Sequence, residues 1–442
     1  MAAPEKLVPR LPEDFVEEAE SGFRFVLKQR DFRLIWFSQL ASQVADKFLM
    51  FSLLILAYQL AGGSSSVAVT LLAYTLPALF IGPLAGVFAD RHDRKTIMVA
   101  ANFARAGIVA LVPLAALVPF LQHDFWHLIV ITFAFSAVGQ LFTPAEASSI
   151  PTVLPKKALL EANSLVMVTL VLTLVVGGTA APIVAGVDIY LPYWVSVLLM
   201  VAAALFILLA AIPKLPARRV AVEVHPFRQV WNELLEGIGV LRKSGPMLLS
   251  FGQLALAVLV LLMMWTLAPG YVKTVLGVPP NETYLILVPA MVGSFIGAVF
   301  LRSAAGRWSH ARLLFGTLLA MGLSLALLAD GPVVLRQFAL LAAHTRIFGA
   351  SVAFILGLEF GVLMIPALTY LMEHTSDQVR GRIFALLFMV INGVAAIPIL
   401  VAAVLADLIG TSWVMGGMGA LLVVTSLAAL RYAARLDAPR GT

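Results

Sequence analysis

The apolar positions of this chain gather into twelve long runs, at about residues 34–60, 67–89, 96–119, 127–149, 164–187, 190–212, 246–272, 283–302, 311–329, 347–371, 382–406 and 412–432. A helix needs roughly 20 apolar residues to cross the hydrocarbon core of a bilayer. In lipid a helix satisfies its own backbone polar groups. The pattern predicts an all-α polytopic membrane protein with twelve transmembrane helices. Runs eleven and twelve are nearly continuous, split only by Asp407 and the turn Gly410-Thr411-Ser412.

Composition agrees. Of 442 residues, 61 % are hydrophobic and 12 % charged, and mean hydropathy is +0.97; soluble domains carry about 25 % charged residues. Cysteine is absent, which excludes a disulfide framework, thiol chemistry and thiolate-held metal. The net charge of +6 would suit nucleic acid, so the placement of the basic residues decides its meaning. With an even number of spans both termini share a side with the loops after spans two, four, six, eight and ten. That side holds 25 of the 30 Lys and Arg, while Lys273, Arg336 and Arg346 fall opposite. The positive-inside rule makes the crowded side cytoplasmic, so the basicity reflects topology and nucleic acid is not expected as a partner. Residues 1–30 carry Glu13, Asp14, Glu17, Glu18 and Glu20, unlike a secretory signal. The expectation is a solvated tail and an amphipathic stretch ahead of a retained first span.

The longest connection, Pro213 to Pro246, divides the spans six and six. The expected organisation is a tail at 1–33, a six-helix bundle at 34–212, a linker at 213–245, a second bundle at 246–432 and a tail at 433–442. Within the linker, PFRQVWNELLEGIGVLRK reads as an amphipathic helix lying at the membrane surface. Gly82, Gly86 and Arg91 recur 211 residues later as Gly293, Gly297 and Arg302, with Leu301 in place of Asp90; Pro144 recurs 222 residues later as Pro366. Two similar offsets argue for duplicated, pseudo-symmetric halves, and parallel repeats with a site between them at mid-membrane are a transporter architecture.

The densest polar knot is GPLAGVFADRHDRK, Gly82 to Lys95. Gly82 and Gly86 lie one turn apart, so a neighbouring helix is expected to approach closely. Asp90, Arg91, Asp93, Arg94 and Lys95 then crowd a turn at the basic surface. A carboxylate there can accept hydrogen bonds from a helix N-terminus, where partial positive charge collects. The expected partner is the start of span eleven, after Arg380, Gly381 and Arg382. Such a latch, built from Gly82, Gly86, Asp90, Arg91, Arg94, Lys95, Arg380 and Arg382, would gate the basic side; the plainer alternative is a loop that only sets topology.

GPLAGVFADRHDRK closely resembles the signature loop of the major facilitator superfamily. RDFRLIWFSQLASQVAD, FTPAEASSIPTVLPKKALLEANSL and DQVRGRIFAL resemble its branch of macrolide-efflux proteins and the enterobactin exporter, and more distantly the lysophospholipid transporter. The resemblance spans essentially the whole chain. It implies two bundles of six helices working by alternating access, with export of an amphiphilic or drug-like small molecule in exchange for protons. VVGGTAAPIVAG in span five loosely matches the family's antiporter motif, with Gly177, Gly178, Pro182 and Gly186 allowing close packing and a bend. Span four lacks the basic residue common in proton-driven members, which counts against proton coupling.

Ionisable residues at membrane depth are costly and usually face an interior or a water-filled cavity. Asp46 and Lys47 lie near the centre of span one, Arg105 about 13 Å into span three, Glu146 toward the basic end of span four and Glu359 in mid span ten. Asp46 is expected to meet Arg105, with Lys47 turned toward the cavity or another acid, because adjacent helical residues point about 100° apart. Asp46 or Glu359 is the candidate proton carrier; a fixed ion pair is the alternative. Gln39, Gln43, Asn102, Gln253 and Asn392 are weak candidates for substrate hydrogen bonds, with Phe51, Trp265 and Phe388 as aromatic wall.

A lipid or lysophospholipid flippase, with Lys47 and Arg105 holding a phosphate, stays open as a second reading, and a non-transporting sensor as a third. An enzyme is not expected, since HExxH, strand-borne GxSxG and P-loop motifs are all missing. Seven scattered histidines argue against a metal site. No cofactor is expected. The expected partners are an amphiphilic substrate, protons and the lipid bilayer around a monomer.

Overall fold

The computed structural model describes residues 22–122, 124–213, 235, 238–239, 241–242, 244–304, 310–338, 344–373, 375, 383, 386–387 and 389–437. The described chain is helical throughout. A short helix α1 (Phe23–Lys28) leads into α2 (Arg30–Ala61), α3 (Ser64–Phe80), α4 (Gly82–Arg91), α5 (Arg94–Ala115), α6 (Trp126–Val153), α7 (Leu159–Val187) and α8 (Leu191–Leu209). The second half comprises α9 (Gly245–Tyr271), α10 (Tyr284–Ala304), α11 (His310–Gln337), α12 (Thr345–Glu373), α13 (Ala396–Ile409) and α14 (Thr411–Asp437). Among the described residues ten helices are long and apolar enough to cross a membrane, or eleven when the bent pair α3 and α4 counts as one span; α13 is a shorter apolar helix. Most of the linker, including the greater part of its expected amphipathic helix, lies outside the described residues. Within it Leu241 joins the larger core and Ile238 packs against that core.

The pairing of helices repeats between the halves. In the first half α3 packs on α6 and α5 on α8; in the second α10 packs on α12 and α11 on α14. These are the same partners six spans later, as duplication requires. The spans also run longer than hydropathy alone marks: α11 continues to Gln337, past Asp330. Second-span residues 67–89 form two helices bent by 49°. Pro83 stands at the start of α4, where its missing N–H removes a bond of the helical ladder and allows the kink. Gly410, at φ +100°, separates α13 from α14 in a conformation side chains resist.

Glycine spacing at the two matched motifs has different outcomes. A Cβ at Gly293 or Gly297 would run into carbonyls of Phe354 and Leu358, so α10 and α12 touch backbone to backbone. In the first half, Gly82 has only the Gln140 side chain nearby, at 3.8 Å, and Gly86 has open space. The expected close approach at Gly82 and Gly86 is therefore not made here.

Helix α7 is where the glycines count most. A Cβ at Gly177 would collide with the Cβ of Lys47, and one at Gly178 would lie 2.9 Å from Met291 Cε and 3.1 Å from the Phe51 ring. Gly186 meets Tyr284 at 3.2 Å, and Pro182 lies inside the same helix. The bare face of α7 thus lets α2 of its own half and α10 of the other half close on it. We expect Gly177→Val to force α2 and α7 apart. It should cost about 1–3 kcal/mol, the usual cost of overpacking, read as a lower melting temperature of the purified protein, with Val176→Leu, on an exposed position of the same helix, near wild type.

Candidate substrate cavity and gates

A cavity of about 830 Å³ opens in the first half between mid-membrane and the face that carries the basic loops. Its wall comes from α2, α3, α4, α5, α6 and α7, with Met389 the described second-half residue in it. Asp46, Lys47, Tyr74 and Arg105 line it together. Four turns of sequence logic bring them there: Ser42 and Asp46 share a face of α2, Asn102 and Arg105 a face of α5.

Asp46 is the hub of this group. One carboxylate oxygen accepts from Arg105 Nη2; the other accepts from Lys47 Nζ at 3.0 Å and from the Tyr74 hydroxyl. Arg105 Nη1 also donates to Ser42 Oγ at 3.1 Å, and that hydroxyl donates to Asn102 Oδ1 at 3.2 Å. The guanidinium lies 4.2 Å over the Phe135 ring, a favourable place for a desolvated cation. The meeting of Asp46 with Arg105 is as the sequence suggested. Lys47 reaches the cavity wall, as expected, and its long stem also pairs with its own neighbour Asp46, which the 100° offset of the Cβ atoms does not prevent.

At the opposite end the two halves are joined. Asp407, in the last turn of α13, accepts hydrogen bonds from the backbone N–H groups of Ser64 at 2.6 Å and Ser65 at 2.9 Å. These are free donors of the first turn of α3, where helices carry unpaired N–H groups and partial positive charge. The approach leaves no room for a side chain: a Cβ at Gly63 would sit 2.8 Å from Asp407 Oδ2, and one at Gly270 of α9 would sit 2.8 Å from Ser64 Oγ and 3.2 Å from the Tyr58 ring. Deeper in, Phe51 of α2 meets Trp265 of α9 edge to face, with centroids 5.0 Å apart. Lys273 Nζ lies 5.6 Å over the Tyr58 ring.

The latch expected at the basic face is not made among the described residues. Asp90 and Arg91 are exposed and make no hydrogen bond or ion pair among the described residues. Arg94 and Lys95 are engaged with their own half. Arg94 Nη1 donates to the Ser148 carbonyl at 2.7 Å, and Lys95 Nζ donates to the carbonyls of Leu208 and Ala210 at 2.9 and 2.8 Å. Lys95 caps the end of α8, where the last carbonyls lack helical partners, and Arg94 braces its turn against α6, so in this structure both are engaged within their own half. Arg380 and Arg382 lie outside the described residues.

The remaining sequence candidates divide. Gln43 lines the cavity. Gln39, Asn102 and Gln253 are buried, with Gln39 Oε1, Asn102 Nδ2 and both amide atoms of Gln253 lacking partners. The side chain of Asn392 and residue Phe388 lie outside the described residues. Glu146 is buried with Oε1 unpartnered and is absent from the cavity wall. Glu359 faces α11, where Ser324 Oγ donates to it at 2.9 Å and Oε2 has no partner. Neither acid joins the Asp46 group. Sequence reasoning missed Asp407, Tyr74 and Gly139, whose absent side chain leaves Arg105 Nε 3.4 Å from the Cβ position. The one readable signal was Asp407, a lone carboxylate closing an apolar run opposite Gly63-Ser-Ser-Ser66.

A helical membrane carrier, closed at one face with a charged cavity toward the other, is the class that fold and site define. The chain belongs to the Major Facilitator Superfamily, whose family model matches residues 35–398, and this makes it a membrane transporter and not an enzyme. It is 22 % identical over 382 residues to macrolide efflux protein A of Streptococcus pyogenes, covering 86 % of this chain and 90 % of that protein. It is 24 % identical to the MFS-type transporter YfiS of Bacillus subtilis, covering 89 % of this chain and 91 % of that one. The fold matches the nucleoside transporter NupG at TM-score 0.65 and 14 % identity over 91 % of this chain and 98 % of that one. It also matches a bacterial homologue of the human lysosomal transporter Spinster, in an inward-facing and unoccupied conformation, at TM-score 0.65 and 14 % identity over 92 % and 97 % of the two chains.

If the Asp407 clasp holds the halves together, Asp407→Ala shifts the population toward states open at that face. Hydrogen bonds to a charged group contribute about 1.5–3 kcal/mol, so the shift should be about ten- to a hundredfold, with Asp407→Asn between. The chain has no cysteine, so Leu54→Cys, buried between the halves, supplies the sole label site. Its modification by an impermeant maleimide from the clasped face should accelerate in the Asp407 variants. An unchanged rate would show that the clasp does not hold this face shut.

Proposed function

We propose that the protein is a secondary active exporter of an amphiphilic or drug-like small molecule, working by alternating access in exchange for protons. On this reading the basic face and both termini are cytoplasmic, the protein is a monomer in the bacterial cytoplasmic membrane, and the conformation described is inward-facing. The observation that carries it is the pairing of a charged cavity on the basic side with a clasp between the halves on the other. The relatives named for macrolide efflux support the direction, and the basic loops support the orientation.

The cycle follows from the geometry. Substrate enters from the cytoplasm and lodges beside Asp46, Lys47 and Arg105. Closure of the inner side brings the turn at Asp90 and Arg91, behind Gly82 and Gly86, against the segment carrying Arg380 and Arg382. The Asp407 clasp opens in exchange. Asp46 is the group that alternates between its two cations and a proton, since it alone among the intramembrane acids lines the cavity with charged partners. Glu146 and Glu359 are secondary candidates. Gly177, Gly178, Pro182 and Gly186 give α7 the bare surface on which the halves pivot.

Transport into inverted vesicles, with and without an imposed pH gradient, tests the reading over a panel of cationic, neutral and anionic amphiphiles. We expect accumulation of at least one amphiphile that grows with the gradient, and loss of that growth in Asp46→Asn while exchange without a gradient persists. Gradient-driven accumulation unaltered in Asp46→Asn removes Asp46 from coupling. No gradient effect on any compound removes proton exchange. Asp46→Asn also leaves Lys47 and Arg105 without their carboxylate. Breaking a buried pair costs about 3–5 kcal/mol, so the variant should melt earlier than wild type, and transport is to be compared per folded molecule.

A further inference from the structure

The cavity wall carries two cations against one carboxylate. Asp46, Lys47 and Arg105 are its charged residues, so the wall holds a surplus of one positive charge. Arg105 is 5 % exposed, yet its Nε has no hydrogen-bond partner. Gly139 packs against that edge of the guanidinium and itself lines the cavity. The single carboxylate of Asp46 serves both cations, and the positive charge it leaves unmatched is costly in a desolvated wall unless something negative arrives. Lys and Arg offer only donors, so what they lack is an acceptor.

A second cavity, of about 270 Å³, lies across α7 in the other half, bounded by α9, α10, α11 and α12. Its wall is almost wholly Leu, Met, Val, Phe and Ala, with Ser294 and the Trp265 indole as the polar side-chain groups. An apolar cavity of this kind stays dry and accepts apolar guests. The two cavities sit one helical turn apart along α7: Leu170 lines the first, Leu174 and Val175 the second. A turn is about 5.4 Å, the scale of a few methylene groups.

We infer that the two cavities form one bipartite site for an anionic amphiphile. A carboxylate or phosphate head docks between Lys47 and Arg105, and its hydrocarbon tail passes α7 into the apolar cavity beside Trp265. This rests on the exporter reading and narrows it from amphiphiles in general to those with a negative head. The charge surplus disfavours a cationic head, which would meet Lys47 and Arg105 before it met Asp46.

The test is binding, with no gradient, to the full chain in phosphatidylcholine nanodiscs. The probes are single-chain amphiphiles brominated near the chain end with carboxylate, phosphate or trimethylammonium heads, and the readout is quenching of tryptophan emission, with Trp265→Phe as the subtraction. We expect saturable, Trp265-dependent quenching by a carboxylate or phosphate probe and little by trimethylammonium; the tighter of the two anions names the head. Lys47→Met, which leaves Asp46 paired with Arg105, should weaken the anion by about ten- to a hundredfold and raise the affinity of the cation. Ala290→Leu, which pushes extra carbons into the apolar cavity, should abolish the quenching while a short-chain anion still competes at the head site. Equal quenching by the three heads, no Trp265-dependent quenching, or full quenching by brominated phosphatidylcholine alone would overturn the inference. Vesicle transport of a cationic drug alongside such a result would leave the exporter standing without an anionic substrate, while anion binding without any transport would do the reverse.

Discussion

A carboxylate at the end of one helix accepting the free N–H groups at the start of another ties the two halves of this molecule together. Asp407 lies 343 residues from Ser64 in sequence, and its two hydrogen bonds to Ser64 and Ser65 cross from one half to the other. Backbone donors at a helix start have no partner of their own, and near the membrane such groups are expensive to leave bare. The glycines at 63 and 270 exist in this arrangement because the carboxylate and the serine hydroxyl occupy the space their side chains would fill. The open surroundings of Gly86, the exposed Asp90 and the large cavity lie toward the other end of the first half.

Charge inside the membrane obeys a second constraint. Asp46 makes Lys47 and Arg105 tolerable by serving both, with Tyr74 donating to the same carboxylate. Ion pairs in low dielectric persist only where further hydrogen bonds complete them; Ser42, itself held by Asn102, supplies one for Arg105, whose guanidinium also lies over the Phe135 ring. The charged group of the cavity wall is thereby built wholly from the first half. The second half contributes Trp265, methionines and backbone-tight glycine crossings, an apolar counterpart to a polar partner.

Much of this was legible in the order of residues. Run length in an apolar sequence is a direct measure of bilayer crossing, so the helical class could be read early, and the signature at Gly82 to Lys95 pointed to the family. The meeting of Asp46 and Arg105 was readable because two buried opposite charges at matching depth have few other options. What escaped was whatever depended on the state of the molecule. Gly82 and Gly86 promise a close approach that this conformation does not make, and the carbonyl partners of Arg94 and Lys95 leave no trace in the sequence. Asp407 read as a mere interruption between runs because its partners are backbone groups, which leave no trace in composition. Lys47 reaches the cavity as expected, but its pairing with Asp46 was not legible, because Cβ direction constrains a short side chain well and a four-carbon stem poorly.

Lys95 carries a mechanical consequence. Its ammonium grips the carbonyls of Leu208 and Ala210, and Asp31 accepts from the Ala211 N–H at 2.8 Å. The strand of chain leaving the first bundle is therefore tethered on two sides at the point where the connecting segment begins. The end of the first bundle and the turn that bears Asp90 therefore share one anchor, so a displacement of either is felt by the other.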